Sequence, residues 1–119
     1  MKIFVVDDDS EDRQLIEDTF IGHDAEIEFA NDADSAVKRL GEEGANFDKV
    51  IYDGLFGEWK KVHQAAQERS LSTLLYTGDL MILAEATKKG IPRLDKAAPH
   101  SSTELENIIF PPTGSVETK

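Results

Sequence analysis

Short apolar runs alternate along this chain with longer stretches of helical periodicity, and this alternation constrains the fold more than any other feature. Such alternation is typical of βα units stacked around a parallel sheet. Five units fit, with strands starting near Ile3, Ile27, Lys49, Leu74 and Ile91. We therefore predict an α/β fold of the doubly wound type, with helices on both faces of a five-stranded parallel sheet.

Local signals refine this prediction. Ser10 can cap the first helix, where Leu15 and Ile16 begin an apolar stripe, and Asp79 can cap the fourth. Pro92 forfeits a ladder hydrogen bond, so the fifth strand, expected over 91–95, should lie at an edge. We expect one domain over residues 1–110 and a disordered polar tail over 111–119.

Charge and composition exclude several classes of partner. The chain has 13 basic and 24 acidic residues and a formal net charge of −11, which argues against binding to nucleic acid or anionic lipid. The apolar run before the aspartates is too short for a membrane span or a signal peptide, so we expect a cytoplasmic protein. Met1 stands directly before the first strand, as expected of a free-standing chain.

Three consecutive carboxylates, Asp7, Asp8 and Asp9, follow the first strand. Two carboxylates about 5 Å apart repel by roughly 3 kcal/mol at an effective dielectric near 20, so the cluster favours a bound cation. Oxygen ligands of this kind suit Mg²⁺ or Mn²⁺. A solvated acidic loop that caps the next helix is an equally open interpretation at this point.

Polar side chains also follow the later strands: Asp53 after the third, Thr77 after the fourth and Lys96 after the fifth. If the strand order is 2-1-3-4-5, the first and third strands are neighbours at the topological switch point, where sheets of this type bind ligands. The aspartate cluster and Asp53 are therefore predicted to converge.

With these motifs the sequence resembles the receiver domain of two-component response regulators, a CheY-like, flavodoxin-like (βα)5 fold. The resemblance covers essentially residues 2–109 and depends on the joint spacing of Val5-Val6-Asp7-Asp8, Val50-Ile51-Tyr52-Asp53, Leu75-Tyr76-Thr77-Gly78 and Lys96. It implies a signalling phosphoprotein rather than an enzyme. The expected donor of the phosphoryl group is a phosphohistidine on a sensor histidine kinase or a phosphotransfer protein of a phosphorelay.

The resemblance also implies roles for single residues. Asp53 would accept the phosphoryl group; Asp8 and Asp53 would bind Mg²⁺ directly, Asp7 would bind it through water, and the Leu55 backbone carbonyl would add one oxygen. Thr77 and Lys96 would contact the phosphoryl oxygens, as expected for a reaction that depends on neutralising charge. Gly78 would leave the approach open.

Ala97, Arg93 and Gly57 depart from the family pattern. Ala97 replaces the proline after the lysine, and Arg93 replaces an aromatic residue that changes rotamer on activation. We therefore hypothesise that Arg93 or Tyr76 reports the state of the site. Gly57 replaces a proline and is expected to loosen the loop that carries Leu55. Asp79 either caps its helix or orients a water that attacks the acyl phosphate.

Two alternatives remain open. A phosphorylation-independent interaction module would keep the fold without the chemistry. A small haloacid-dehalogenase-like phosphohydrolase would use Asp7 instead of Asp53 as its nucleophile.

For the main interpretation, output would pass to a downstream protein, or to a second copy in a homodimer, through the face formed by the fourth helix, fifth strand and fifth helix. The run from Leu80 to Ala84 has more apolar residues than one buried helix face requires.

Overall fold

The strands form a single parallel sheet in the order β2-β1-β3-β4-β5. The structure is a computed structural model, and it describes residues 1–111. The strands are β1 (Lys2–Val6), β2 (Glu26–Ala30), β3 (Lys49–Tyr52), β4 (Ser72–Thr77) and β5 (Arg93–Asp95). The predicted fold class and strand order are therefore confirmed.

Each strand is connected to the next through a helix, and the helices cover both faces of the sheet. They are α1 (Ser10–Thr19), α2 (Ala33–Glu43), α3 (Trp59–Glu68), α4 (Leu80–Lys89) and α5 (Ser101–Ile109). Short 3-10 turns cover Gly44–Asn46 and Leu55–Gly57. The chain leaves β1 toward β2 on one side and leaves β3 toward β4 on the other. These diverging connections open a crevice at the carboxyl ends of β1 and β3.

Alternating side chains of the central strands supply two separate cores. Phe4 and Tyr52 belong to the core under α2, α3 and α4, while Val5 and Ile51 belong to the core under α1 and α5. All four are at most 1 % exposed. This alternation fixes the register of the sheet, because a slip of one residue would exchange the two sets.

Asp9, not Ser10, is the N-cap of α1. The Asp9 side chain accepts hydrogen bonds from the backbone N–H groups of Glu11 and Asp12, so the helix begins one residue earlier than a serine cap would place it. Leu15, expected on the buried stripe, is 61 % exposed, and Ile16 carries that face instead. Our prediction of a serine cap was wrong because Asp9 occupies that position. Our prediction of a buried Leu15 was wrong because Ile16 is the residue that α1 buries there.

Strand β5 is shorter than predicted and begins at Arg93 instead of Ile91. Pro92 lies just before the strand, where its missing N–H disrupts no ladder, and its carbonyl accepts a hydrogen bond from the Leu75 N–H at 3.0 Å. The predicted edge position of this strand is confirmed.

Helix α4 exposes apolar side chains, which decides between the two interpretations that its composition left open, an exposed patch and burial beneath the last helix. Leu80 is 72 % exposed and Met81 is 83 % exposed, whereas Ala86 is fully buried. No helix within residues 1–111 is long and apolar enough to cross a bilayer. Beyond Pro111, the expected disordered tail lies outside the described residues.

Candidate functional site

Asp7, Asp8 and Asp53 meet at the carboxyl ends of β1 and β3. Val6 is paired with Tyr52 across these strands, and the Asp53 N–H donates to the Val6 carbonyl at 2.9 Å. This pairing places the residues after the two strands side by side. One carboxylate oxygen from each of the three aspartates lies within 4.8 Å of the other two, so the predicted convergence is present.

The three carboxylates differ in exposure. Asp7 is 2 % exposed and its Oδ1 accepts the Asp9 N–H at 2.9 Å, whereas Asp53 is half-buried and Asp8 is exposed. Burial raises the pKa of Asp7, an effect opposed by the Asp9 N–H and by Lys96. The site therefore has a fixed, buried carboxylate at its base and a solvent-facing carboxylate at its mouth.

Lys96 extends over this cluster from the end of β5. Its Nζ lies 2.9 Å from Asp7 Oδ2 and 3.2 Å from Asp53 Oδ1. Its backbone N–H donates to the Thr77 carbonyl at 2.9 Å, which fixes the start of the side chain. Burial alone would lower the pKa of Lys96, but hydrogen bonds to Asp7 and Asp12 and the charge of Asp53 raise it overall. Lys96 is therefore a firmly charged ammonium group.

Asp12 is a fourth carboxylate at the site, and our sequence analysis missed it. Its Oδ2 lies 2.9 Å from Lys96 Nζ. It belongs to the first turn of α1, three residues after the Asp9 cap. Recognising Asp9 as the cap would have placed Asp12 on that first turn, but its direction toward Lys96 depends on how α1 packs on the sheet.

Thr77 is buried at the end of β4, next to the loop that follows Asp53. A Cβ atom added at Gly54 would lie 3.3 Å from Thr77 Oγ1. The hydroxyl oxygen accepts the Asp79 N–H at 3.2 Å, and no hydrogen bond within residues 1–111 joins it to Asp53. Gly78 faces Ala97, since a Cβ added there would lie 3.6 Å from the Ala97 Cβ. Thr77 thus lies beside the loop that follows Asp53 and, within residues 1–111, makes no hydrogen bond to the Asp53 carboxylate.

Asp79 caps α4. Its Oδ1 accepts the backbone N–H groups of Met81 at 2.9 Å and Ile82 at 3.2 Å. This contact establishes the first of the two roles considered for Asp79. A role in orienting water stays a prediction.

The loop after Asp53 has an unusual backbone. Leu55, Phe56 and Gly57 have φ angles of 51°, 54° and 94°. The Leu55 carbonyl, the expected metal ligand, accepts the Glu58 N–H at 3.0 Å and has a second lone pair. A proline, whose φ is fixed near −65°, could not adopt the φ of 94° found at Gly57.

Tyr76 and Arg93 differ in their relation to the site. Lys96 Nζ lies 5.4 Å from the centre of the Tyr76 ring, and the Tyr76 hydroxyl lies 3.2 Å from Ser101 Oγ. The Arg93 guanidinium donates to the Ile91 carbonyl and lies on the exposed edge strand. Of the two candidates for reporting the state of the site, Tyr76 is the one that contacts it.

The donor set fits a hard divalent cation. Asp7, Asp8 and Asp53 offer only oxygen atoms, and Asp8 faces solvent, which leaves room for the waters that Mg²⁺ retains. A divalent ion would also offset the repulsion among carboxylates that the single charge of Lys96 neutralises only in part.

No protein-family model matches this sequence, and no curated protein matches it significantly. Solved structures do match. A signal receiver domain of an HD domain-containing protein from Pseudomonas fluorescens Pf-5 is 25% identical with a TM-score of 0.68, covering 91% of each chain. A CheY-like response regulator receiver domain protein from Methanospirillum hungatei JF-1 is 19% identical with a TM-score of 0.72, covering 91% of this chain and 89% of that one.

This chain has the receiver fold. A de novo designed Rossmann 2x3 fold protein also matches, with a TM-score of 0.75, 15% identity, and coverage of 91% of this chain and 88% of that one. Because a designed protein shares the architecture, the receiver fold alone does not establish a phosphoryl-accepting function. Only the residues at the strand ends can distinguish a phosphoryl-accepting protein from another protein of this fold.

Proposed function

We propose that this chain is a response regulator receiver that accepts a phosphoryl group on Asp53 from a phosphohistidine in a partner protein. One observation carries the proposal: Lys96 Nζ bridges Asp7 and Asp53 across the carboxyl ends of neighbouring strands. Asp8 completes the carboxylate cluster beside them. A buried carboxylate, a half-exposed carboxylate and a fixed ammonium group are the parts that phosphoryl transfer to a carboxylate requires.

In the proposed reaction, an Asp53 carboxylate oxygen forms a bond to phosphorus while the bond from phosphorus to the histidine nitrogen breaks. The imidazole keeps the electron pair of the broken bond and takes a proton from solvent. Lys96 neutralises charge on the phosphoryl oxygens, and the nearby Thr77 hydroxyl turns to donate to one of them. Asp7, Asp8, Asp53 and the Leu55 carbonyl would hold Mg²⁺, which supplies further charge neutralisation when bound.

The exposures of the two candidate nucleophiles favour Asp53 over Asp7. Asp7 is 2 % exposed and engaged by the Asp9 N–H and by Lys96, whereas the Asp53 side chain is 20% exposed. A phosphorus atom can approach Asp53 from solvent, but not Asp7 without displacing these partners. This difference counts against the phosphohydrolase alternative, in which Asp7 would be the nucleophile.

The interaction module is the second candidate function, and one observation favours it. Lys96 pairs with three carboxylates at once, so the cluster has a partial counter-charge without any metal. Such a site could persist as a structural ion-pair network in a protein that signals through binding alone. Phosphorylation experiments separate this candidate from the receiver.

For output, we propose that a downstream protein binds the face formed by α4, β5 and α5. Leu80 and Met81 expose large apolar side chains there, as patches at protein interfaces often do. A homodimer through the same face is a second use of this surface. A cytoplasmic location is implied by the resemblance to receivers and is part of the proposal.

The test is intact-mass measurement after incubation with acetyl phosphate or phosphoramidate, with and without Mg²⁺. We expect a Mg²⁺-dependent gain of one phosphoryl group in the wild type and in Asp9→Asn, and none in Asp53→Asn. Modification of Asp7 would instead support the phosphohydrolase. No modification of a folded protein with Mg²⁺ present would favour the interaction module.

A further inference from the structure

The ammonium group of Lys96 has no donor left for a new partner. It has three N–H groups, and its Nζ lies within hydrogen-bond distance of three carboxylates: Asp7 and Asp12 at 2.9 Å and Asp53 at 3.2 Å. Two of these belong to the cluster at the strand ends. Asp12 comes from α1 and belongs to none of the strands.

A phosphoryl group on Asp53 presents several anionic oxygens to Lys96, but the donor that now contacts the Asp53 carboxylate can pass to only one of them. A second donor has to leave either Asp7 or Asp12. Asp7 is 2 % exposed and fixed by the Asp9 N–H, and the carboxylate of Asp53 carries the phosphoryl group itself. The Asp12 side chain is 29% exposed and can turn into water, where its charge is solvated. Asp12 is therefore the contact that can be given up most easily.

We propose that Asp12 is a built-in competitor for Lys96, which occupies the lysine in the unphosphorylated protein and is displaced when Asp53 carries a phosphoryl group. This inference rests on the proposed function and assigns a regulatory role within the same site. In the unphosphorylated protein, Asp12 binds the Lys96 ammonium group that the phosphoryl group would otherwise bind. The energy of this ion pair opposes phosphorylation.

The exchange would change a cleft between α1 and α5. Asp12 and Lys96 both line this cleft, which has a volume of about 410 Å³ and apolar walls that include Leu15 and Leu105. While Lys96 pairs with Asp12, the charge at this edge of the cleft is balanced. After displacement, Asp12 is left as a free carboxylate at that edge. Phosphorylation at the strand ends is thereby converted into a change of charge on the outer surface of α1.

The test measures the affinity for beryllofluoride, an analogue of the phosphoryl group, in the presence of Mg²⁺ by calorimetry. Asp12→Asn removes the competitor. Glu11→Gln is the matched control, because it removes the same charge from the adjacent position of the same helix turn, and Glu11 has no ion pair within residues 1–111. We expect Asp12→Asn to bind about three- to tenfold more tightly than Glu11→Gln, because a larger fraction of the protein then has Lys96 free.

Two further variants separate competition from a general structural effect. Asp12→Glu keeps the carboxylate, and we expect its affinity to return toward that of the wild type. In a Lys96→Met background, where there is nothing to compete for, Asp12→Asn and Glu11→Gln should bind the analogue equally. A difference that persists in this background would overturn the inference.

The outcomes distinguish this inference from the proposed function. If Asp12→Asn and Glu11→Gln bind equally with Lys96 present, Asp12 does not compete. If Asp12→Asn binds more weakly, Asp12 positions Lys96 instead, and the inference is wrong. If the folded wild type with Mg²⁺ binds no beryllofluoride, the proposed function itself fails, and the competition inference fails with it.

Discussion

Ile82 of helix α4 packs directly against Gly54, the residue that follows Asp53. A Cβ atom added at Gly54 would lie 2.5 Å from Ile82 Cδ1. Real Cβ atoms do not approach a neighbour this closely, so a side chain at Gly54 would force Ile82 Cδ1, the far end of a flexible side chain, to move. The loop after Asp53 is thus in contact with α4, the helix that exposes Leu80 and Met81.

We expect Gly54→Ala to destabilise the protein by about 1 kcal/mol, at the low end for overpacking, because the added methyl group displaces Ile82 Cδ1 and that flexible, partly buried side chain can turn away. Ile82→Val removes the Cδ1 atom that would clash. In that background, Gly54→Ala should cost nothing or stabilise slightly, since the Gly54 φ of −67° suits alanine. Urea unfolding of the four proteins measures the coupling. Equal costs in the two backgrounds would contradict the contact.

Mg²⁺ is expected to stabilise the folded protein against thermal unfolding. At a concentration about 100 times the dissociation constant, the gain should be about 2.7 kcal/mol. Asp8→Asn should lose most of this gain because it removes a metal ligand. Asp9→Asn should retain it, since asparagine caps a helix as well as aspartate does while removing one charge. An equal loss in both variants would indicate non-specific screening of the acidic cluster.

Gly57→Ala should lower the free energy of unfolding by about 1–2 kcal/mol, because the Gly57 φ of 94° is strained for any residue with a Cβ. Gly22→Ala is a matched control, with a φ of 92° and, as at Gly57, nothing within 4 Å of an added Cβ. Both variants should lose similar stability. Only Gly57→Ala should also weaken Mg²⁺ binding, because it distorts the loop that carries Leu55. If Gly57→Ala bound Mg²⁺ with unchanged affinity, the result would contradict the assignment of the Leu55 carbonyl as a ligand.

Stability should also depend on pH through His63. Its Nδ1 lies 2.5 Å from the hydroxyl of buried Tyr52, and burial together with Lys89 lowers its pKa below the ordinary 6.5. The folded state therefore binds fewer protons at this residue than the unfolded state. Its contribution is present above pH 6.5 and is lost as the pH falls through the lowered pKa. The free energy of unfolding of His63→Gln should fall less steeply between about pH 7.5 and 5 than that of the wild type. Parallel curves would contradict the assignment.

Tyr76 is expected to report phosphorylation, and Arg93 is not. Lys96 Nζ lies over the face of the Tyr76 ring. A shift of the lysine toward a phosphoryl group would therefore change the environment of the ring. Tyr76→Phe should reduce the spectral shifts that beryllofluoride causes around Ser101 in two-dimensional NMR, whereas Arg93→Ala should leave them unchanged. Shifts that survive in the Arg93→Ala, Tyr76→Phe double variant would remove both residues from the signalling route.

The carboxyl ends of β1, β3 and β5 could be predicted because they depend on local pattern. The third strand, over Lys49–Tyr52, was predicted to the residue, since an apolar run bounded by a charged residue and an aspartate leaves little choice of ends. Once the strands were ordered, the convergence of Asp7, Asp8 and Asp53 followed from the fold.

The pairing of Asp12 with Lys96 and the packing of Ile82 on Gly54 could not be predicted. Each depends on where a helix lies on the sheet to within a fraction of a helical turn, and the periodicity of a sequence does not specify that position. The exposure of Leu15 has the same cause, because a small rotation of α1 turns Ile16 inward and Leu15 outward.

The ion pair between Lys96 and Asp7 joins residues that are 89 positions apart in the chain. The carboxylates come together when β1 and β3 pair, but their counter-charge arrives only with β5, the outermost and shortest strand. We expect a contact between such distant residues to form late in folding, because closing a long loop costs entropy. A nascent or truncated chain that lacks the fifth strand would carry an unbalanced anionic pocket. Completion of the sheet and neutralisation of the carboxylate cluster by Lys96 are thus expected to be reached in the same step.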